Sequence, residues 1–321
     1  MPVLTAAGRI SSTTVASALA DARRAICLVN EDSTARSLAA HTSAEPDPAG
    51  ELAEWLYPRW WSGGKDWTES AEQFAGSPDA AAGAAALEAA RRTVTPRRPG
   101  WLVLAATIDT IIASHLGSGD RATTRADAVV SSSRPGLAAR PGDLVTLIAG
   151  AGSLEPSQNW WWAATGDRPL DPQAQLNRWY VNCSGLEPAL AAVPLLLGLL
   201  NELGCDALLK CPPTDALFGR RDALLVYLPR EASAGAETAL PRIGHQLEQW
   251  LQPEVPPLTR QLMPGLATAH DPGGAVSYGQ LRCAQLAAVA ACTNAECSDN
   301  ELAARLAAVG IDPHHPETVS A

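Results

Sequence analysis

"LLKCPPTDALFGRRDALLVYLPR", residues 208–230, decides how the second half of this chain is read. Two apolar runs flank a Pro-rich turn, a pattern that predicts two neighbouring strands. Lys210 closes the first run. Arg220, Arg221 and Asp222 open the second, which carries Tyr227 and ends at Arg230. In an antiparallel pair the end of one strand lies beside the start of the next, so Lys210 is expected near Arg220–Asp222 at one edge of a sheet. Cations at strand ends also serve solubility alone, with stems buried and heads in water. A converging set of them is a candidate site.

The surrounding chain bounds what that site can serve. It has 321 residues, room for one large domain or two smaller ones, and a net charge of −10. That charge argues against non-specific binding to nucleic acid or to an anionic membrane. No apolar run has the length of a membrane span. The first residues lack a basic segment followed by an apolar core, so no signal peptide is expected, and the location expected is cytoplasmic. The seven cysteines form no CxxC pair and the six histidines no HExxH or HxH spacing, so no metal and no cofactor are expected. Lys210 stands out because Lys65 is the only other lysine.

The fold class expected is α+β, with a helical N-terminal half packed on a mixed or antiparallel sheet and flanking helices in the C-terminal half. Residues 1–142 are read as mostly helical and peptide-binding, 143–310 as the α+β catalytic domain, and 311–321 as a loose tail. Helices are expected over 11–40, from 51 to about Pro58, and over 78–94, the last too poor in large apolar groups to pack tightly. "SGGKDW", 62–67, reads as a turn. Residues 101–116 fit a strand or a helix, and the polar stretch beyond them a connector with one weak strand. After Asp143, "DLVTLIAG", "NWWWAAT", "LNRWYVNCS", "CDALLKC" and "RDALLVYLP" read as strands. Helices are expected over 185–204, 237–252, 277–293 and 298–310, the last with a capping box at Ser298 and Glu301. "GAG" at 150–152 is a fragment of a dinucleotide loop without its strand–turn–helix context.

Alternation along "LNRWYVN", 176–182, puts Arg178, Tyr180 and Asn182 on one face and Trp179 and Val181 on the other. An Arg, a phenol and an amide on one face suit an oxyanion, or else form the wet side of a half-exposed strand. The long segment 256–282 carries Arg260, His270 and Arg282, and its closing helix offers an N-terminus to an anion. The tryptophans, Trp160, Trp161 and Trp179 among them, are either core or the rigid walls of a peptide groove.

In order, "RWYVN", "LLKCPP", "RRDALLVYLP", "PPLTRQLMPGLATAHDP" and "SYGQLR" resemble the Hop-A-type effector family of plant-pathogen type III secretion. The resemblance covers about 143–292, and "LYPRWW" at 56–61 resembles a weaker N-terminal motif. Tyr278 stands where the family has the aromatic of "SFG". An actinobacterial branch occurs in class V lanthipeptide and thioamitide biosynthesis. The resemblance implies a lyase that removes phosphate from phosphoserine or phosphothreonine in a ribosomal precursor peptide, leaving dehydroalanine or dehydrobutyrine. The partners it implies are that phosphorylated peptide and the pathway's kinase. The order of Lys210, Arg221, Tyr227 and Arg282 is also similar to that in effector phosphothreonine lyases.

β-Elimination needs a base for the α-proton, positive charge for the leaving phosphate and a proton donor. Lys210 suits the base if neighbouring Arg charges and partial burial lower its pKa. Arg178, Arg220, Arg221, Arg260 and Arg282 suit the phosphate, since guanidinium groups bind oxyanions bidentately. Tyr180, Tyr227 and His270 are the candidate acids. Two other readings remain at this level: a non-catalytic scaffold for precursor and kinase, and a cyclase that adds a cysteine thiol to the dehydro residue.

Overall fold

The computed structural model describes residues 7–42, 48–63, 77–148, 152–155, 160–166, 170–274, 276–294 and 296–319. The 150–152 fragment and the 62–67 turn lie largely outside them.

A seven-stranded antiparallel sheet organises the site. Four of its strands are those expected from "NWWWAAT", "LNRWYVNCS", "CDALLKC" and "RDALLVYLP"; the strand at 152–155 was not expected, two more come from the long segment 256–282, and "DLVTLIAG" falls in a second sheet. The seven are β6 (Gly152–Glu155), β7 (Trp160–Thr165), β8 (Leu176–Val181), β9 (Ala207–Cys211), β10 (Leu224–Pro229), β11 (Arg260–Met263) and β12 (Leu266–His270). Their spatial order is β11-β12-β8-β10-β9-β7-β6. Strand β8 is therefore interior, which is why all six of its residues are buried. Register follows the alternation of the sequence: Tyr227 pairs with Arg178, Leu225 with Tyr180, and Lys210 with both Leu225 and Trp162.

Helices cover both faces. On one lie α1 (Ala7–Glu31), α2 (Ser33–Thr42), α3 (Pro48–Leu56), which runs into a π-turn at Tyr57–Trp61, and the late helices α8 (Tyr278–Ala291) and α9 (Asp299–Ala308). They share a core with Tyr180, Leu225 and Tyr227. On the other lie α4 (Pro78–Val94), α5 (Leu186–Glu202), α6 (Arg230–Ala239) and α7 (Pro241–Glu248), over Trp161, Trp179, Leu209 and Val226. The fold is α+β as expected, with the N-terminal helices divided between the two faces.

Local chemistry sets several boundaries. The helix expected over 11–40 is two, because the Asp32 carboxylate accepts the backbone N–H of Thr34 and Ala35 and starts α2 anew. The helix expected over 237–252 is also two, and it breaks before Pro241. Pro58 does not end α3 but sits inside the π-turn. The complete capping box is at Ser277 and Gln280. At Ser298 the hydroxyl accepts from the Glu301 backbone N–H. Helix α4 does pack tightly. A Cβ on Gly83 would lie 1.7 Å from the Pro213 carbonyl oxygen, so the small residues of α4 permit the approach.

Three expectations need correction. Residues 97–148 form a second sheet, of five antiparallel strands: β1 (Arg97–Ala106), β2 (Thr110–His115), β3 (Arg121–Arg125), β4 (Val129–Ser132) and β5 (Leu144–Ile148). Its own small core holds Trp101, Val103, Ile111 and Val145. The boundary drawn at 142/143 cuts this sheet, since β5 pairs with β1. Finally, the segment from 311 is no loose tail as far as it is described. Ile311 is fully buried, and the His270 N–H donates to the Glu317 carbonyl.

Candidate active site

The sheet face under α1–α3 carries a continuous row of cations and rings. Arg178 on β8 lies over the Tyr227 ring of β10, with its Cζ 4.8 Å from the centroid. Tyr227 stacks on Trp162 of β7, centroids 5.9 Å apart and planes 27° apart. Lys210 on β9 places Nζ 5.1 Å from the Trp162 centroid and 4.1 Å from that of Trp160. Arg220, just before β10, reaches the same Trp160 ring at 5.6 Å. Period-2 alternation on four paired strands places Arg178, Tyr227, Lys210, Trp160 and Trp162 on the same side, and Arg220 joins them from the turn before β10.

Both ends of the row are fixed by buried carboxylates. Arg178 is ion-paired with Asp271, which follows β12. Arg220 donates from Nε and Nη2 to the two oxygens of Asp222, at 2.6 and 2.8 Å. Asp222 also accepts from the Tyr57 hydroxyl at 2.9 Å and from the Trp61 indole at 3.2 Å. Burial alone would raise the Asp222 pKa, but the Arg220 charge and the Tyr57 and Trp61 hydrogen bonds outweigh it and hold the carboxyl below its usual range. Burial likewise opposes the Arg220 charge, and Asp222 and Tyr57 more than offset it. Tyr57 and Trp61 belong to "LYPRWW", so the N-terminal motif braces the central hairpin across 165 residues of chain.

Burial raises the pKa of Tyr227 and Tyr180 against the opposing charge of Arg178, so both phenols keep their protons at neutral pH. Tyr180 is closed off by Trp61, whose ring meets it edge-on at 5.6 Å. Tyr227 adjoins Trp162 and hence Lys210.

A family model described as the HopA1 effector protein family matches residues 158–318, half of the chain. The chain belongs to the HopA1 effector protein family. Solved structures resemble it, among them two Pseudomonas syringae effector proteins. One is the effector protein from Pseudomonas syringae pv. syringae strain 61, with 14% identity and a TM-score of 0.48, covering 97% of this chain and 99% of that one. The other is the effector protein from Pseudomonas syringae pv. tomato strain DC3000, with 16% identity and a TM-score of 0.38, covering 50% of this chain and 63% of that one. The chain thus spans less than two thirds of the second. No curated protein matches it.

Within this HopA1-family chain, the residues picked out from the sequence divide. Lys210, Arg178, Arg220, Tyr227 and Trp160 meet on the row. Arg221 does not: it points away from its neighbour Arg220, donates to the Trp60 carbonyl at 3.2 Å and lines a separate cleft. Arg260 is on the rim of that cleft, paired with Glu237. Arg282 is fully buried and staples the C-terminal segment, donating to the carbonyls of Pro316 and Thr318 while Tyr278 donates to those of Leu258 and Pro316. Its motif neighbour Gly279 lets the Trp61 indole approach, since a Cβ there would lie 2.5 Å from Nε1. "SYGQLR" is therefore an architectural motif.

His270 pairs in register with Asn177 while Arg178 pairs with Ala269, so His270 faces the opposite side of the sheet from Lys210. Burial and the nearby Arg230 lower its pKa, which leaves it neutral at pH 7. Trp161 and Trp179 are 1% and 0% exposed in the second core and offer no surface to a peptide. Asn182 is turned to a structural task, donating to the Glu254 carbonyl. Sequence reasoning missed Tyr57 and Asp271; Trp162 belongs to the conspicuous run 160–162, read from the sequence as core or peptide groove. "LYPRWW" was the one signal for Tyr57. Nothing local marks Asp271 as the partner of Arg178.

Proposed function

We propose that this HopA1-family protein is a metal-independent lyase that eliminates phosphate from phosphoserine or phosphothreonine of a ribosomally made precursor peptide. The observation that carries the reading is the row on which Lys210 and Arg220 share the Trp160 ring, with Tyr227 and Arg178 beside them. In the proposed reaction neutral Lys210 takes the α-proton, the electron pair forms the Cα=Cβ bond, and the Cβ–O bond breaks to release phosphate. Arg220, which shares the Trp160 ring with Lys210, holds the phosphate dianion, and Asp222 keeps its guanidinium in place for it; Arg178 supplies positive charge from the Tyr227 end of the row. Tyr227 donates to the departing oxygen. Among the three acids considered, it is the one beside Lys210 with its proton retained. Trp160 and Trp162 provide the rigid platform for the peptide.

The partners proposed are the phosphorylated precursor and the kinase that supplies it, in a biosynthetic setting of the lanthipeptide type and a cytoplasmic location. Among the described residues, no helix is long and apolar enough to cross a membrane. The test is mass spectrometry of phosphorylated precursor peptide after incubation with the protein. Stoichiometric loss of phosphoric acid is expected, with a dehydro residue at the former phosphosite. Recovery of intact phosphopeptide overturns the reading.

A further inference from the structure

Away from the row, a cleft of about 710 Å³ opens between α1, the π-turn and the segment that leads into β11. Four arginines from four separate parts of the chain line it: Arg24, Arg59, Arg221 and Arg260. They are not paired alike. Arg24 is ion-paired with Asp21 and Arg260 with Glu237. Arg59 donates to the Trp55 carbonyl and Arg221 to the Trp60 carbonyl, and among the described residues neither has a carboxylate within ion-pair distance. Among the described residues, the carboxylates that line the cleft are Asp21 and Glu254. Asp21 is already committed, to Arg24 through one oxygen and to the Leu258 N–H through the other. A chain of net charge −10 thus concentrates positive charge in one concavity.

The cleft is also built to be rigid. Its wall from Pro253 to Leu258 contains three prolines, and Leu258 itself adopts φ 57°, a conformation uncommon for a bulky side chain. Hydrogen bonds from several parts of the chain hold that wall in place, three of them from side chains distant in sequence. Asp21 accepts from the Leu258 N–H, Tyr278 donates to the Leu258 carbonyl, and Asn182 donates to the Glu254 carbonyl. On the other side, Gly63 (φ 65°) leaves room for the Arg221 guanidinium, which a Cβ there would meet at 2.5 Å. Burial and the Arg24 charge lower the Arg221 pKa and outweigh the opposing charges of Glu254, Asp21 and Asp222, none of which is within ion-pair distance among the described residues.

We propose that this cleft binds an extended, acidic polypeptide segment, gripped by Arg59 and Arg221 against the proline-rich wall. The volume suits several residues rather than one phosphate. The fork geometry of guanidinium suits carboxylates. A preformed wall lowers the ordering cost of binding. Two carboxylates in the lining and a net charge of −10 on the chain disfavour a nucleic-acid strand, whose charge is continuous. Under the proposed function the site would hold the precursor peptide at a distance from the reacting residue, but its occupation does not depend on that chemistry.

The test is fluorescence anisotropy with a labelled decapeptide of alternating Glu and Ala, titrated with the full chain at low and at high salt. Saturable binding is expected, weakened by salt. Arg59→Glu and Arg24→Glu are solvent-facing changes, and each is expected to weaken binding about tenfold. Glu254→Gln is expected to tighten it, and Arg121→Glu on β3 to leave it unchanged. The assay reads binding whether or not elimination occurs, so failure here and failure of the lyase reading are separate results. Three outcomes overturn the proposal: no saturation at millimolar protein, charge reversals with no effect, or tighter binding of a labelled single-stranded oligonucleotide than of the peptide.

Discussion

Lys210 and Arg220 lie over the same indole, with the Trp160 centroid 4.1 Å from Lys210 Nζ and 5.6 Å from Arg220 Cζ. The electron-rich face of the indole attracts positive charge and so offsets part of the repulsion between the two groups it holds. Asp222 then neutralises Arg220 from behind. The arrangement keeps an amine beside a guanidinium without either leaving the sheet face, and the predictions below test its parts.

Lys210→Ala is expected to reduce elimination from a phosphopeptide by about 10²–10⁴-fold, the usual contribution of a positioned base. Lys210→Arg should not rescue it, because guanidinium does not give up its proton near neutral pH. Trp160→Ala should cost roughly tenfold by loosening the amine. Single-turnover rates measured by mass spectrometry check all three. Full activity in Lys210→Ala would remove the base assignment.

Asp222→Asn strands a buried guanidinium and is expected to destabilise the fold by about 3–5 kcal/mol. Tyr57→Phe removes one hydrogen bond to that carboxylate and should cost about 1 kcal/mol. Urea unfolding midpoints report both. Equal effects of the two variants would contradict the central place of Asp222.

The same carboxylate makes stability depend on acid. Its folded pKa lies below the ordinary value, so the unfolded state binds the proton more readily. The stabilisation is therefore fully present above the unfolded carboxylate pKa of about 3.9 and is lost as pH falls through the folded value. Thermal midpoints should drop over that window in the native protein. In Asp222→Asn the drop should be shallower, and an unchanged slope would count against this assignment.

Gly279→Ala drives a methyl group into the Trp61 indole and is expected to destabilise by about 1–3 kcal/mol. Gly244→Ala on α7 meets nothing within 4 Å and should be neutral or stabilising, by up to about 1 kcal/mol. Calorimetric unfolding of the two variants distinguishes close packing from a general intolerance of alanine.

Removing residues 312–321 takes away the carbonyls of Pro316 and Thr318 that hold Arg282. A fully buried guanidinium would lose these acceptors, and the thermal midpoint is expected to fall by several degrees. If Arg282 instead served phosphate alone, truncation would alter elimination and leave the midpoint where it was.

Much of the site was legible because strand periodicity is a local property. "LNRWYVN" alternates, and Arg178 and Tyr180 do share a face opposite Trp179. The hairpin of 208–230 likewise set Lys210 beside β10. The five-stranded sheet was obscure for the same reason in reverse. Its strands have one weakly apolar side, and 121–132 reads as polar connector until β1 and β2 supply its partners. Arg282 and Arg178 look equivalent as letters; one meets carbonyls of the C-terminal segment, the other Asp271.

The sequence by itself determined the α+β class, the strands around Lys210 and which side chains alternate together, because each follows from spacing along a few residues of backbone. Tertiary structure alone decided which charges meet. Arg220 and Arg221 are adjacent in the chain, yet one joins the ring-bearing face and the other a cleft lined by Arg24 and Arg59. The partners that separate them, Asp222 with Tyr57 on one side and the Trp60 carbonyl on the other, require the π-turn to pack against the central hairpin. That is a balance of burial and pairing energies across the whole molecule, and no local pattern encodes it.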